Sequence, residues 1–178
     1  MDPQHEIAQI LAAQGDSRRF TPLYERYFSD IFRFILRRAT DHELTADLTQ
    51  QTFLKAMLAL PKYEARGTPF RAWLYRIALN ELRMHWRKRK EVVVNISFLE
   101  AKGLSDVIGL SDEDERMQRL ALALGELNVE KARLIELRFM DGLSFAEMGD
   151  VLGIGEDAAK MRTHRVLTIL RSYLVQRA

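Results

Sequence analysis

The apolar residues near the start of the chain recur at helical spacing. Between positions 20 and 36 they follow one another in steps of three and one: Phe20, Leu23, Tyr24, Tyr27, Phe28, Ile31, Phe32, Ile35 and Leu36. At 3.6 residues per turn, this spacing draws a continuous stripe along one face of a single helix. An apolar stripe of this kind must be buried against other elements, so the pattern predicts a packed helical domain.

Two more helical segments follow before residue 90. The first carries Leu44, Leu48, Phe53, Ala56, Met57 and Leu60, and Pro61 ends it. Residues 62–69, which include Gly67 and Pro69, are predicted to form a loop. The second segment spans residues 70–90 and places Phe70, Leu74, Ile77, Ala78 and Leu82 on one face. We therefore predict a domain of three or four helices over residues 5–90.

The pattern changes after residue 90. Residues 91–115 contain β-branched residues, two glycines and an acidic run, with no lasting helical period. The valines at 92–94 could form a strand, but a lone strand in a helical chain has no partner. We interpret 91–115 as a linker and 116–178 as a second helical domain. The predicted fold class is all-α, with two small helical domains joined by a linker.

The second domain contains the signals of a helix-turn-helix. A compact amphipathic helix is predicted over Val129–Phe139, and Asp141-Gly142 breaks it. Ser144 and Glu147 have the spacing of a capping box, which predicts the start of the next helix. Gly153 is expected to end that helix in the left-handed conformation. A three-residue turn, residues 153–155, then leads into a last helix over Glu156–Val175, the helix-turn-helix order.

The last helix has two different faces. One is predicted to be buried and carries Ala159, Val166, Leu170 and Tyr173. The opposite face carries Asp157, Lys160, Met161, His164, Arg165 and Thr168. A polar outward face near the start of a second helix is where a recognition helix meets base edges and phosphates. A plain helical hairpin with a solvated face is the alternative, and the outward methionine favours DNA reading.

The helix predicted over 70–90 carries a second candidate nucleic-acid surface. Arg76, Asn80, Arg83 and Arg87 fall in a narrow stripe, and Trp73, Tyr75 and Trp86 flank it. Arginines can hold phosphates, an asparagine can read a base edge, and aromatic rings can stack on exposed bases. A solvated basic face beside a packed core is the competing interpretation of this segment.

Composition excludes several other functions. The chain has no cysteine, which excludes disulfides, thiolate metal sites and cysteine nucleophiles. Its four histidines, at 5, 42, 85 and 164, have no metal-ligand spacing, and the carboxylates show no catalytic pairing. We therefore expect no metal, no cofactor and no enzymatic activity. No secretory signal and no membrane-spanning run are found, so a soluble, cytoplasmic protein without membrane insertion is expected.

These segments together resemble the extracytoplasmic-function sigma factors over nearly the whole chain. Asp47-Leu-Thr-Gln-Gln-Thr-Phe53 with Leu54-Lys-Ala56 is similar to the family's DLVQETFLRA segment. Phe70-Arg-Ala-Trp-Leu-Tyr-Arg-Ile-Ala78 followed by Asn80 is similar to the family's FRAWLYRIARN run. Residues 127–170 resemble sigma region four, with the LGI turn. The order and spacing of these motifs identify the chain as a member of the family.

The resemblance implies a role for each segment. Asp47, Gln50 and Gln51 lie where the family contacts the clamp helices of core RNA polymerase. The minus-ten element of promoter DNA would be bound by Lys62, Tyr63, Trp73, Arg76, Asn80, Arg83 and Arg87, with Asn80 reading a flipped base. The minus-thirty-five element would be read by Lys160, Met161, Arg162, His164 and Arg165. An anti-sigma factor is the implied regulatory partner.

Some positions depart from the family pattern. Gln51 replaces the usual glutamate and Thr49 the usual valine, which predicts altered detail in polymerase contacts. The recognition helix begins Glu156-Asp157 in place of a Gly-Thr-Val run, so the promoter sequence does not follow from the resemblance. Two other functions remain open from the sequence. One is a helix-turn-helix regulator that binds duplex DNA without polymerase, and the other is a sigma-like decoy that titrates an anti-sigma factor.

Overall fold

A computed structural model describes residues 3–39, 41–64, 67–89 and 114–175, with side chains described for 4–39, 41–64, 67–86 and 119–173. The chain divides into two units, Met1–Glu91 and Val92–Ala178, which we call the N-terminal and C-terminal units. All regular structure in the described residues is helical, which confirms the all-α class. Most of the predicted linker lies outside the described residues, and the next helix begins at Asp114.

The N-terminal unit contains α1 (Pro3–Gly15), α2 (Thr21–Ala39), α3 (His42–Ala59) and α4 (Phe70–Arg89). Short 3₁₀ turns lie at Ser17–Phe20 and Leu60–Lys62. The predicted stripe therefore spans two elements, because Phe20 belongs to the first 3₁₀ turn and the other positions to α2. Pro61 lies inside the second 3₁₀ turn, directly after α3. Because proline has no backbone N–H to donate, it favours the end of the α-helix at this point.

The helix α4 lies at the centre of the N-terminal unit, in contact with both α2 and α3. Phe70, Leu74, Ala78 and Leu82 are buried as predicted, while Ile77 is partly exposed. Burial extends well beyond this face, to Ala72, Trp73, Tyr75, Leu79, Glu81 and Trp86. Among the side chains of α4 that the structure describes, only a narrow strip therefore remains open to a ligand.

Threonines let α3 pack closely inside the N-terminal unit. Asp41 caps the helix by accepting hydrogen bonds from the amides of residues 43 and 44. Thr45, Thr49 and Thr52 are fully buried, and each hydroxyl donates to the carbonyl four residues earlier, at 2.6–2.7 Å. These bonds satisfy the hydroxyls in the apolar interior. Thr49, which replaces the family's usual valine, thus belongs to the core and is not exposed for contact with a partner.

The helix α1 is anchored to the rest of the N-terminal unit by polar side chains. Gln14 donates to the backbone carbonyls of Leu60 at 3.0 Å and Tyr63 at 2.7 Å, at the entry to the loop before α4. Tyr27 of α2 donates its hydroxyl to Glu6. Burial, reinforced by this hydrogen bond, raises the pKa of Tyr27 well above its ordinary value. These contacts fix the start of the loop that leads to α4.

The C-terminal unit contains α5 (Asp114–Gly125), α6 (Val129–Ile135), α7 (Phe145–Leu152) and α8 (Glu156–Val175). The helix predicted over Val129–Phe139 is shorter than expected, because a π-helical turn, Glu136–Met140, follows α6. The wider turn lets the amide of Leu143 reach the carbonyl of Leu137 at 2.9 Å. Arg138 then donates to the carbonyl of Leu143 at 2.8 Å, which holds the approach to α7.

The helix-turn-helix has the predicted local geometry. Ser144 and Glu147 form both hydrogen bonds of the capping box. Gly153 ends α7 with φ 70° and ψ 37°, in the left-handed region. One contact was not predicted: a Cβ built on Gly149 would lie 2.7 Å from the carbonyl oxygen of Ile154. The turn therefore packs directly on α7 at a position where only glycine leaves room.

Candidate nucleic-acid interfaces

The predicted arginine stripe forms an exposed strip on α4. Arg76, Asn80 and Arg83 are all exposed, although the residues around them in sequence are mostly buried. Arg87 is within α4, but its side chain lies outside the described residues. Within the described part of the chain, neither Arg76 nor Arg83 forms an ion pair. Their guanidinium groups are available for phosphates, with one amide between them.

The aromatic residues beside this strip have a different role from the one predicted. Tyr75 is fully buried, and Trp73 and Trp86 are 9% and 8% exposed. The prediction that these rings offer an open stacking surface is therefore wrong for the free protein. The physical reason is that α4 is enclosed by α2 and α3, which leaves its rings inside the core.

Trp73 belongs to an aromatic cluster that supports the loop before α4. Its ring centroid lies 4.8 Å from that of Tyr63 and 5.5 Å from that of Phe70. Tyr63 is itself buried and donates its hydroxyl to the carbonyl of Thr68 at 2.7 Å. Lys62, the remaining predicted residue of this segment, is exposed. The cluster holds both ends of the loop, so Tyr63 and Trp73 support the surface from below.

The polar residues predicted to contact polymerase lie on the open side of α3. Asp47, Gln50 and Gln51 are exposed, while Phe53 is 3% exposed and packs among aromatic rings. Two leucines that were not predicted to contact polymerase, Leu54 and Leu58, are 52% and 70% exposed on the same helix. A helix with exposed leucines beside exposed amides is suited to docking on another protein.

A partly buried ion pair joins α3 to α4. Lys55 of α3 donates to Glu81 of α4 at 2.6 Å, and Glu81 is only 5% exposed. Glu81 directly follows Asn80 in sequence. The pair therefore holds the middle of the exposed strip in register with the helix that carries the polymerase candidates.

The outward face of α8 forms an open groove. It is lined by the six residues predicted from the sequence: Asp157, Lys160, Met161, His164, Arg165 and Thr168. Arg162 is exposed as well. On the opposite face Ala159, Val166 and Leu170 are buried, but Tyr173 is 43% exposed because it lies in the last turns of the helix. The predicted division into two faces is therefore confirmed except at Tyr173.

A residue from α7 lies beside this groove. The ring centroid of Phe145 lies 6.1 Å from that of His164, and the guanidinium of Arg138 lies 4.6 Å from the Phe145 ring. Phe145 was not among the residues predicted from the sequence; its position directly after the capping serine was the available signal. The Phe145 ring thus packs beside His164. The exposed groups of the groove present cationic, apolar and hydrogen-bonding chemistry suited to a DNA groove.

Neither unit contains a metal centre in its described part. Among those residues, no group of three or more histidine, aspartate or glutamate side chains could hold an ion. The same residues include no helix long and apolar enough to cross a membrane.

Comparisons with known proteins match both units. A family model of Sigma-70 region 2 matches residues 23–92, and one of Sigma-70 region 4 matches residues 123–172. The sigma factor CarQ of Myxococcus xanthus is 32% identical, over 90% of this chain and 91% of CarQ. The ECF sigma factor BldN of Streptomyces coelicolor is 31% identical over 92% of this chain, which spans 63% of BldN.

A solved structure has the same fold. It contains CnrH in complex with the cytosolic domain of CnrY, and it matches this chain with a TM-score of 0.65. The identity is 26%, and the match covers 97% of each chain. CnrH of Cupriavidus metallidurans is named an RNA polymerase sigma factor.

Proposed function

Because the chain belongs to the extracytoplasmic-function sigma factor family, we propose that it binds core RNA polymerase and directs it to specific promoters. The observation that carries the proposal is the presence of a separate exposed surface with cationic side chains on each unit. Each unit also matches the corresponding sigma region. The polymerase supplies the catalysis, and the site of action is the cytoplasm, where the polymerase works.

The open side of α3 is the proposed polymerase-binding surface. Asp47, Gln50 and Gln51 provide polar contacts, and the exposed leucines Leu54 and Leu58 provide apolar ones. An interface of this type has an apolar centre and a polar rim, and its exposed leucines are costly to leave in water. Gln51 is uncharged where the family usually has a glutamate, so its proposed contribution is a neutral hydrogen bond.

The exposed strip of α4 is the proposed minus-ten surface. Asn80 reads one unstacked base, while Lys62, Arg76, Arg83 and Arg87 hold the backbone of the melted strand. Extruding a base costs a few kcal/mol, which backbone contacts and a base contact must offset. Tyr63 and Trp73 act by supporting the loop and helix that carry these groups.

The groove of α8 is the proposed minus-thirty-five surface. Arg165 is the strongest candidate for reading a base, because a guanidinium can donate to both O6 and N7 of guanine. Lys160, Arg162 and His164 offer donors to phosphates or base edges, and Met161 offers an apolar contact for a thymine methyl group. All five side chains are exposed.

A regulatory protein of the anti-sigma class is the proposed inhibitory partner. The CnrH structure contains the cytosolic domain of another protein, CnrY, which supports a partner of this kind for a chain of the same fold. An inhibitor that covers the open side of α3 would block the proposed polymerase contact.

Reconstitution with core RNA polymerase tests the proposed function. The chain should form a complex with core enzyme and produce discrete run-off transcripts from a set of genomic fragments, which core enzyme alone does not produce. A variant carrying Leu54→Gln and Leu58→Gln should lose core binding while it retains its helical content. Binding of duplex DNA without any association with core would instead establish a conventional regulator. Association with an inhibitor but neither core nor DNA would establish a decoy.

A further inference from the structure

The exposed strip of α4 contains an apolar side chain that none of the roles above uses. Met84 is 46% exposed and lies one turn after Asn80. A large apolar side chain at such a position is costly in water unless something covers it. The buried state of Tyr75, Trp73 and Trp86 leaves the strip without an open aromatic ring for a base to stack on. Met84 is the exposed apolar residue at this place.

The helical geometry separates the strip into two edges. At about 100° per residue, Arg76 and Arg83 lie about 40° and 60° to one side of Asn80. Met84 lies about 40° to the other side, and Ile77, which is partly exposed, lies about 60° to that side. The strip therefore has a cationic edge, an amide along its middle and an apolar edge.

A single DNA strand has the same asymmetry. Its phosphates are charged and follow one side, while its unstacked bases are flat, apolar on their faces and project from the other side. Methionine is among the side chains that proteins insert against unstacked base steps, and its flexible thioether adapts to a ring surface. The opposite orientation of the strand would place phosphates over the thioether and bases over two guanidinium groups.

We infer that the melted strand crosses α4 with its phosphates over Arg76 and Arg83. In this orientation the side chain of Met84 packs against the face of an unstacked base, next to the base that Asn80 reads. This inference rests on the proposed function and assigns a residue and a strand orientation to it. The contact is made by the side chain of Met84 with a base, and it involves no phosphate.

The test measures the binding of reconstituted holoenzyme to a short fluorescent DNA. Its sequence is the non-template strand of a promoter mapped by the run-off assay. Met84→Gln keeps the length of the side chain but makes it polar, and it should weaken binding by about tenfold, the loss of one base contact. Met84→Leu should bind within about twofold of wild type. The matched control Leu11→Gln, at a 62% exposed leucine on α1, should also bind like wild type.

Two readouts separate a base contact from a general defect. The slope of log affinity against log salt should be the same for Met84→Gln as for wild type, whereas Arg83→Gln should reduce it by about one. On a series of DNAs that each lack one base, Met84→Gln should bind as tightly as wild type only to the DNA that lacks the base contacted by Met84. Wild-type affinity for Met84→Gln, a penalty that persists on every DNA of the series, or an altered salt slope would overturn the inference.

The outcome is distinguishable from failure of the proposed function. If wild-type holoenzyme does not form or gives no promoter-specific run-off transcript, the sigma activity itself is refuted and the inference falls with it. If the holoenzyme transcribes but does not bind the strand, only the inference is refuted. If wild type binds and Met84→Gln binds equally well, the sigma activity stands and only the assignment of Met84 is refuted.

Discussion

Replacing Gly149 by alanine should destabilise the C-terminal unit. The new Cβ would lie 2.7 Å from the carbonyl oxygen of Ile154 and 3.3 Å from the amide nitrogen of Glu156. Ordinary van der Waals contact begins near 3.4 Å, so the turn of the helix-turn-helix must move by about 0.7 Å. Both contacting atoms belong to the backbone, which cannot rotate away as a side chain can.

The expected loss of stability follows from three effects. Overpacking of this kind costs about 1–3 kcal/mol. Displacing the turn also weakens the hydrogen bond from the Ile154 amide to the Gly149 carbonyl, now 3.0 Å long, by about 1 kcal/mol. The better helix propensity of alanine offsets about 1 kcal/mol of this loss. The net expected loss in the free energy of unfolding is about 1–3 kcal/mol, or several degrees or more in the melting temperature of a small unit.

Two optical probes can locate this loss. The only tryptophans of the chain, Trp73 and Trp86, both lie in the N-terminal unit. Far-UV circular dichroism follows the helices of both units, whereas tryptophan fluorescence follows the N-terminal unit. In Gly149→Ala, part of the unfolding followed by dichroism should occur at a lower temperature. The midpoint temperature followed by fluorescence should not change. Gly125→Ala is the matched control, because a Cβ there meets nothing within 4 Å.

Two results would refute this reasoning. Unchanged unfolding of Gly149→Ala would mean that the turn accommodates a methyl group without cost. Equal shifts in both probes would mean that the effect does not belong to the C-terminal unit. A loss in Gly125→Ala as large as that in Gly149→Ala would show that glycine replacement, and not the close approach, is responsible.

Three further perturbations test the local structure. Gln14→Leu should cost about 1–3 kcal/mol in the N-terminal unit, because it removes two hydrogen bonds to backbone carbonyls. Tryptophan fluorescence during urea unfolding measures this loss, and an unchanged midpoint would contradict it. Ser144→Ala should cost about 1 kcal/mol by removing the cap of α7, visible in dichroism, whereas Ser172→Ala should have little effect. Since the pKa of Tyr27 is raised in the folded state, the protonated side chain stabilises the fold fully below the ordinary tyrosine pKa, and this stabilisation is lost as the pH rises above that value. Tyr27→Phe should therefore flatten the decline of stability at alkaline pH. A decline as steep as in wild type would exclude Tyr27 as its source.

Short-range signals predicted much of the fold. Ser144 and Glu147 mark the start of α7 and Gly153 marks its end. These residues act within one or two turns of backbone, so their spacing alone predicted the capping box and the left-handed end. The span of α8 and its buried and exposed faces followed from periodicity in the same way. Asn80 and Arg165 were singled out because they lie on polar stripes of amphipathic helices and match positions of the family's motifs. Their exposure agrees with that pattern, and their roles in DNA reading stay predictions.

The remaining features depend on packing between distant segments. The burial of Trp73 and Tyr75 results from the enclosure of α4 by α2 and α3, which no local pattern records. Gly149 lies inside a helix, where a glycine normally indicates only weak propensity; its necessity depends on how the following turn folds back. Met84 reads as one more apolar residue of an amphipathic helix until the structure shows that it is exposed.

Promoter-dependent transcription by reconstituted holoenzyme tests the central claim most directly. With wild-type protein, core RNA polymerase should produce discrete run-off transcripts, and Asn80→Ala and Arg165→Ala should each reduce them by about tenfold, the expected effect of losing one base contact. Arg171→Ala, at an exposed arginine of α8 outside the groove, should transcribe like wild type. The account is contradicted if wild type yields no promoter-specific transcript, or if both base-reading variants transcribe as efficiently as Arg171→Ala.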